Sequence, residues 1–282
     1  MCLAVPSERL PLTPVVSYTI CHRSPILPDQ WVDEEIAVGP HNTGSPLHIS
    51  RLVPLWHERY TYAHSAAALF GVNRALGSQA PKGGHVRMQQ YRKVLSHERL
   101  GKPDTYLPSM GVISASESAR HAHVGLSLAT GCDFLVPRPV RFQHSVLEHY
   151  ARNHRVLDFI DFARVALECG VLSGQQVSMM MLERVYFAGV LELGIYPVEF
   201  FQRALTQIET VADEFAMKHA ARLTSYDAEQ SRALAWCVER MGSFLVLEEL
   251  RERYGRDVPE GTFGWIVCVA PEGDAYVPGS GD

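Results

Sequence analysis

Short β-branched or aromatic runs alternate with helix-period stretches through the first half of the chain, and two long helical patterns fill most of the second. That alternation dictates a mixed α/β architecture, because each period can bury its apolar residues only as its own kind of element. Val15–Cys21 reads as a buried strand, and Glu35–Gly39, Met110–Ile113, Cys132–Pro137, Val185–Leu193 and Phe263–Val269 read as others. Helices are expected over Pro54–Leu76, Ser114–Thr130 with Ser116 as its cap, Ser145–Tyr150, Asp158–Glu168 and Ser173–Arg184. Two more are expected over Pro197–Leu223 and Asp227–Tyr254. In the first of these, Phe200, Phe201, Leu205, Ile208, Val211, Ala212 and Phe215 recur at helical spacing and mark a core face. Residues 1–258 read as one domain and 259–282 as a final strand followed by a Gly/Pro-rich tail.

Composition narrows the function. With 46% apolar and 20% charged residues among 282, the chain can bury a large core and is not intrinsically disordered. A net charge of −5 gives no global attraction to nucleic acid, so an anion must be held by a local cluster. Six cysteines, at 2, 21, 132, 169, 237 and 268, lack the close spacings of a zinc site and read as small buried hydrophobes in a reducing compartment. Neither a secretory signal nor a run of about 18 apolar residues is present, so a cytoplasmic protein without a transmembrane segment is expected. A homo-oligomer is compatible with this composition.

The chemistry concentrates in Lys82–Lys93, where a Gly turn feeds a strand that ends in Arg92 and Lys93. Adjacent basic side chains at a strand end can neutralise a diphosphate, Arg92 as a planar fork and Lys93 as a compact charge. The bland alternative is a solvated basic surface. His22 and Arg23 follow the first strand, and ligands of open α/β sheets collect outside the carboxyl ends of strands. Thirteen histidines are present, but His121 and His123 point to different helix faces, and His144, His149 and His154 do not share one. Arg232, Glu239 and Arg240 sit among apolar residues, either as an internal ion pair or as part of a site.

Several separated segments together resemble a bacterial domain of unknown function common in capsular and exopolysaccharide loci, treated as a nucleotide-sugar glycosyltransferase family. Tyr18–Arg23, Leu27-Pro28 and Val38-Gly39 are similar to its strand ending in His-Lys, its Leu-Pro turn and its Val-Gly step. Ile49-Ser50 and Glu58 resemble its Ile-Ser pair and the Glu opening its first long helix, and Gln90-Tyr91-Arg92-Lys93 its His-Tyr-Arg-Arg element. Asp133–Pro137, Tyr150 with His154, Phe187–Leu191, and Arg232 with Glu239-Arg240 resemble further motifs in the same order. Gln90 stands where the family has His, and Ala188 where it has Asn.

The resemblance implies a GT-A-like mixed sheet flanked by helices, with a largely helical C-terminal half. It implies transfer of a sugar from a nucleoside diphosphate sugar, a UDP-sugar first, to a hydroxyl of a polysaccharide precursor or small-molecule natural product. His22, Arg23, Gly39, Gln90, Tyr91, Arg92, Lys93, Arg232 and Arg240 would then bind the donor, and Glu58, Ala188 and Gly189 would lie on the acceptor side. Glu239 is the first choice for the base and Asp133 the second. The usual metal-binding Asp-x-Asp triplet does not occur in the chain, so Arg92 and Lys93 are expected to stand in for a divalent cation, though one is not excluded. The changes at Gln90 and Ala188 favour a rival, a catalytically silent nucleotide- or glycan-binding partner in a biosynthetic complex. A histidine-dependent hydrolase is disfavoured by the histidine spacing.

Overall fold

The β-branched run Val15–Cys21 forms the first strand, β1, in a computed structural model that describes residues 14–41, 44–77, 80–121 and 127–271. It is followed by β2 (Glu34–Ala37), the short helices α1 (Ile49–Leu52), α2 (Pro54–Glu58) and α3 (Tyr60–Ala63), and α4 (Ser65–Leu76). Next come β3 (His85–Gln90), β4 (Lys93–Ser96), β5 (Lys102–Pro103), β6 (Met110–Ser114), α5 (Ala115–Ser118), β7 (Val136–Pro137) and β8 (Val140–Arg141). The second half holds α6 (Val146–Asn153), α7 (Val156–Glu168), α8 (Gly174–Leu182), β9 (Val185–Tyr186) and β10 (Gly194–Pro197). It closes with α9 (Val198–Thr224), α10 (Ala233–Tyr254) and β11 (Phe263–Ala270).

The main sheet runs β2, β1, β3, β4, β11, β6, β5, with β10 also on β3 and β7 also on β11. β1 is parallel to β2 and β3, β11 is parallel to β6, and β4 is antiparallel to both β3 and β11. The carboxyl ends of β2, β1, β3, β11 and β6 therefore share one edge. β11, set apart in the sequence reading as a final strand, lies inside the sheet between β4 and β6. Its Val267 and Val269 pack in one apolar cluster and Ile266 and Cys268 in another, so both faces are covered and the strand reads as a continuous apolar run.

The largest apolar cluster joins Ile20, Val86 and Met88 of the sheet to Phe201, Leu205, Ile208 and Phe215 of α9 and to Leu234, Met241 and Phe244 of α10. α9 contacts β3 and β10 on one side and α4, α7 and α10 around it. Side chains alternate across β3, so Val86, Met88 and Gln90 face these helices while Arg87 and Gln89 face away. Gln89 is nevertheless buried, and its amide donates to Thr19 Oγ1 at 2.8 Å and to the Trp31 carbonyl. Among the described residues no helix is long and apolar enough to cross a membrane. Cys21, Cys132, Cys237 and Cys268 are buried thiols and Cys169 is half-buried; Cys2 lies outside the described residues.

Four expected elements differ. The helix expected over 54–76 is broken at Arg59 and at His64, whose φ is +45°. Tertiary anchors prevail over the apolar period there: Arg59 pairs with Asp213 at 2.5 Å, and His64 Nε2 lies 3.3 Å from Ser231 Oγ. The helix expected from Ser114 shrinks to Ala115–Ser118, capped by Ser114 rather than Ser116; His121 follows it, and His123 lies outside the described residues. Of 132–137 only Val136–Pro137 pairs in the sheet, with Leu135 bridging Ile195. The expected strand 185–193 pairs only at Val185–Tyr186 and then turns, its amides being taken by side chains instead of a neighbouring strand.

Close packing of β6 against the preceding loop makes a test. A Cβ at Gly111 would overlap the Leu100 carbonyl oxygen, and backbone cannot yield as a side-chain end can. Gly111→Ala is expected to destabilise the fold by about 1–3 kcal/mol in urea titration, with exchange of the β6 amides accelerated.

Candidate functional site

The end of β3 builds the site. Gln90 pairs with Lys93, so Tyr91 and Arg92 form the two-residue turn of a hairpin rather than the end of a strand. The turn is fixed through its backbone: Tyr91 N donates to Ile20 O at 2.8 Å, Tyr91 O accepts from Ile26 N at 2.8 Å, and Arg92 O accepts from Val269 N at 2.8 Å. Tyr91 is buried, and its ring carries His22 edge-on at 4.3 Å, the Arg23 guanidinium at 5.7 Å and that of Arg92 at 5.3 Å. Three expected donor residues thus meet on a fourth.

A fifth arrives from the other half of the chain. Arg232, in the 3-10 turn before α10, acts electrostatically on His22, His64 and Tyr60. Burial lowers the pKa of His22 to about 4, assisted by Arg23, Arg92, His41 and Arg232, so its ring is neutral at physiological pH. Gly39 closes this side, because a Cβ there would come within 2.6 Å of the Tyr60 ring. Its φ of +65° also requires glycine.

The C-terminal half supplies carboxylates. Glu239 Oε1 accepts the Gly189 amide at 2.6 Å, and Ser243, one turn along α10, accepts the Phe187 amide at 3.0 Å. Ala188 and Gly189 therefore lie in a turn fastened to α10. The same turn presents Glu192, half-buried, to which Gln90 donates at 2.5 Å. Burial pushes the Glu192 carboxyl up to about 7, the charge of Glu239 adds to this, and Ser65, Gln90 and Lys93 oppose it. Glu192 was not singled out from the sequence. The available signal was a charged residue inside the apolar run 185–196, which is rarely buried without a partner or a task.

Beside Glu239 stands an aromatic wall. Arg240 is buried, its guanidinium 4.7 Å from the Tyr150 ring and 5.5 Å from Tyr186, and Nη1 donates to Trp236 O at 2.9 Å. His154 stacks on Trp236 at 3.6 Å and His149 on Phe142 at 3.9 Å. Arg240 lies 4.0 Å from Glu239, so it borders the carboxylates instead of joining the Tyr91 cluster. Burial and Arg240 lower His154 to about 4 as well.

Two expected residues lie elsewhere. Asp133 accepts from Arg253 at 3.1 Å and acts on His85, at the opposite end of β3 from Gln90, about 16 Å away along the strand. Arg253 is also 14 residues beyond Glu239 on α10, about 21 Å along its axis, so the two proposed bases cannot serve one centre. Glu58 ends α2, exposed, and among the described residues its carboxylate makes no hydrogen bond or ion pair. Among the described residues no three His, Cys, Asp or Glu side chains converge, and the Glu192 and Glu239 carboxylates have Lys93 and Arg240 beside them.

A mixed sheet covered by helices, with ligand-type residues at the carboxyl ends of its parallel strands, defines a GT-A-like α/β protein. The fold matches the apo structure of the bifunctional glycosyltransferase WbbM with a TM-score of 0.69 at 12% identity, over 91% of this chain. The chain spans 45% of the length of that protein. No family model and no curated protein sequence matches.

The depressed histidines set an acid limit. His22, His64 and His154 are held near 4, below the unfolded value of about 6.5, so the stability tied to their neutral forms is complete above pH 6.5 and lost as pH falls towards 4. His154→Phe, which can keep the stacking on Trp236, is expected to reduce that acid loss by on the order of 1 kcal/mol after allowance for solvent screening, in melts between pH 7 and 4.5.

Proposed function

We propose that the protein transfers a sugar from a nucleoside diphosphate sugar to a hydroxyl acceptor, with the diphosphate lying across the carboxyl ends of β1 and β3. The observation that carries this reading is the convergence of Arg23, Arg92 and Arg232 around His22 at that edge. It is supported by the likeness in fold to a bifunctional glycosyltransferase. Charge develops on the leaving diphosphate as its bond to the sugar breaks, and fixed cations stabilise that charge without reorganising. Lys93, on the first residue of β4, adds a fourth positive group beside the turn. The donor set leads us to assign this task to side chains, and no step is routed through a metal.

His22 and Gly39 would border the nucleotide, for which a uridine diphosphate is the first choice. The acceptor would approach from the other side, past the turn at Ala188 and Gly189 and the wall of Trp236 and His154. Its hydroxyl proton must pass to a group within hydrogen-bond reach, and Glu192 and Glu239 are the carboxylates on that side. Polysaccharide precursors and small hydroxylated natural products both suit such a wall, since sugar and ring faces stack on aromatics.

Calorimetry with UDP tests the donor site. Charge-assisted hydrogen bonds contribute about 1.5–3 kcal/mol each, so Arg92→Ala is expected to weaken UDP binding about tenfold or more, with the melting temperature little changed. Lys93→Ala is expected to do the same to a smaller degree, and rising salt should weaken the wild-type protein more than either variant. Affinity unchanged in both variants would remove the diphosphate role.

A further inference from the structure

The turn between β9 and β10 carries a strained residue next to a half-buried carboxylate, and the transferase reading does not choose between that carboxylate and Glu239. Leu191 has φ +67°, a conformation that costs a branched side chain of this size about 1–2 kcal/mol and persists only where its surroundings fix it. Here the fixing is visible. Leu191 N donates to Tyr196 Oη at 2.9 Å, Tyr196 Oη donates to Leu193 O at 2.6 Å, and the Leu191 side chain packs where a Cβ on Gly242 would come within 2.9 Å of it. The main chain is thereby clamped on both sides of Glu192.

The clamp aims the carboxylate at the end of β3. Gln90 from β3 and Ser65 from α4 hydrogen-bond to it, and Lys93 from β4 and Glu239 from α10 act on it as charges. Tyr186 of β9 and Tyr196 of β10 complete the titratable groups around it. Glu239 is engaged differently, because its oxygens take the Gly189 amide and the Tyr186 hydroxyl and so hold the turn in place. One carboxylate fastens the loop; the other is carried by it to the end of β3, and both are half-buried.

We propose that Glu192 is the catalytic base that takes the proton of the acceptor hydroxyl, and that Glu239 is a positioning residue that fixes the Glu192 turn. The proposal rests on the transferase reading above. In a direct displacement the acceptor O–H proton passes to a Glu192 oxygen as the acceptor oxygen bonds to the anomeric carbon. The bond from that carbon to the diphosphate oxygen breaks, and its electron pair leaves with the diphosphate against the arginines. A base works best when its acidity lies near the operating pH, and burial among these neighbours moves Glu192 in that direction.

The test uses the full chain, labelled with carbon-13 at glutamate Cδ, and UDP-glucose, UDP-galactose and GDP-mannose as donors. One glutamate should titrate near neutrality, vanish in Glu192→Gln and move to lower pH in Glu239→Gln. Glu192→Gln should lose turnover about a hundredfold or more while binding UDP within twofold of wild type, and should lose the acidic limb of the pH profile. Glu239→Gln should keep that limb, displaced to lower pH. Folding of the first variant is checked by its melt: the folded wild type retains a proton that the unfolded chain releases above about pH 4.3, so stability falls as pH rises towards 7, and Glu192→Gln should melt no lower than wild type at pH 8. UDP binding with unaltered turnover and pH profile in Glu192→Gln overturns the base role alone. Wild-type protein that binds neither UDP nor GDP overturns the donor reading, and the base role with it.

Discussion

The candidate site depends on the immobility of Tyr91. Its backbone is tied to the end of β1, to the turn at Ile26 and, through the next residue, to β11, while its ring carries a histidine and two guanidinium groups. Each cation–π contact from these half-buried arginines contributes about 0.5–1 kcal/mol, too little to hold two arginines against their mutual repulsion unless the platform itself is fixed. Hydrogen bonds to three separate strands or turns provide that fixity. Burial drives His22 to its neutral form and the like charges add to it, the part of the effect that an anion would relieve.

A single helix face joins this cluster to the carboxylates. Arg232, Trp236, Glu239 and Ser243 stand at intervals of four, three and four residues, so they follow one side of α10 from its amino end inward. Arg232 reaches the Tyr91 cluster, Trp236 the aromatic wall, and Glu239 with Ser243 the turn that carries Glu192. The helix packs on α9, which packs on β3, so both halves of the site are referred to the same strand. Geometry between them is then set by rigid elements rather than by loops.

How far this could be read from the chain follows from which residues have periodic neighbours. β1, β6, β11 and α9 lie where alternation or a helical period indicates them, α10 ends where expected but begins at Ala233 instead of after Asp227, and the basic pair after β3 and the Arg232 to Glu239 spacing were visible as charges out of place. Glu192 was hidden because an apolar run does not distinguish a strand from a turn whose amides are capped by side chains, and Ser243, Glu239 and Tyr196 come from 50 or 56 residues away or five residues on. Asp133 misled for a related reason. A carboxylate beside a strand-like run looks suited to a sheet edge, yet the sequence does not say which edge, and its partner Arg253 belongs to the far end of α10. Resemblance could supply order along the chain but not direction in the sheet.

Lys93 connects the two chemistries. It opens β4 beside the Tyr91-Arg92 turn, and it also lowers the proton affinity of Glu192 from the opposite side. On the proposed reading a diphosphate at the turn draws on the same positive charge, so Glu192 would hold a proton more readily with donor bound than without. Linkage makes the effect mutual: whatever the donor does to the proton affinity of Glu192, protonation of Glu192 does to donor affinity by the same factor. A net charge of −5 does not oppose this arrangement, because charges beyond about 8 Å are largely screened at physiological salt while half-buried ones close to the Tyr91-Arg92 turn are screened less. Charge balance within one turn of β3, rather than over the whole surface, therefore sets both how the donor is held and when the base is free to act.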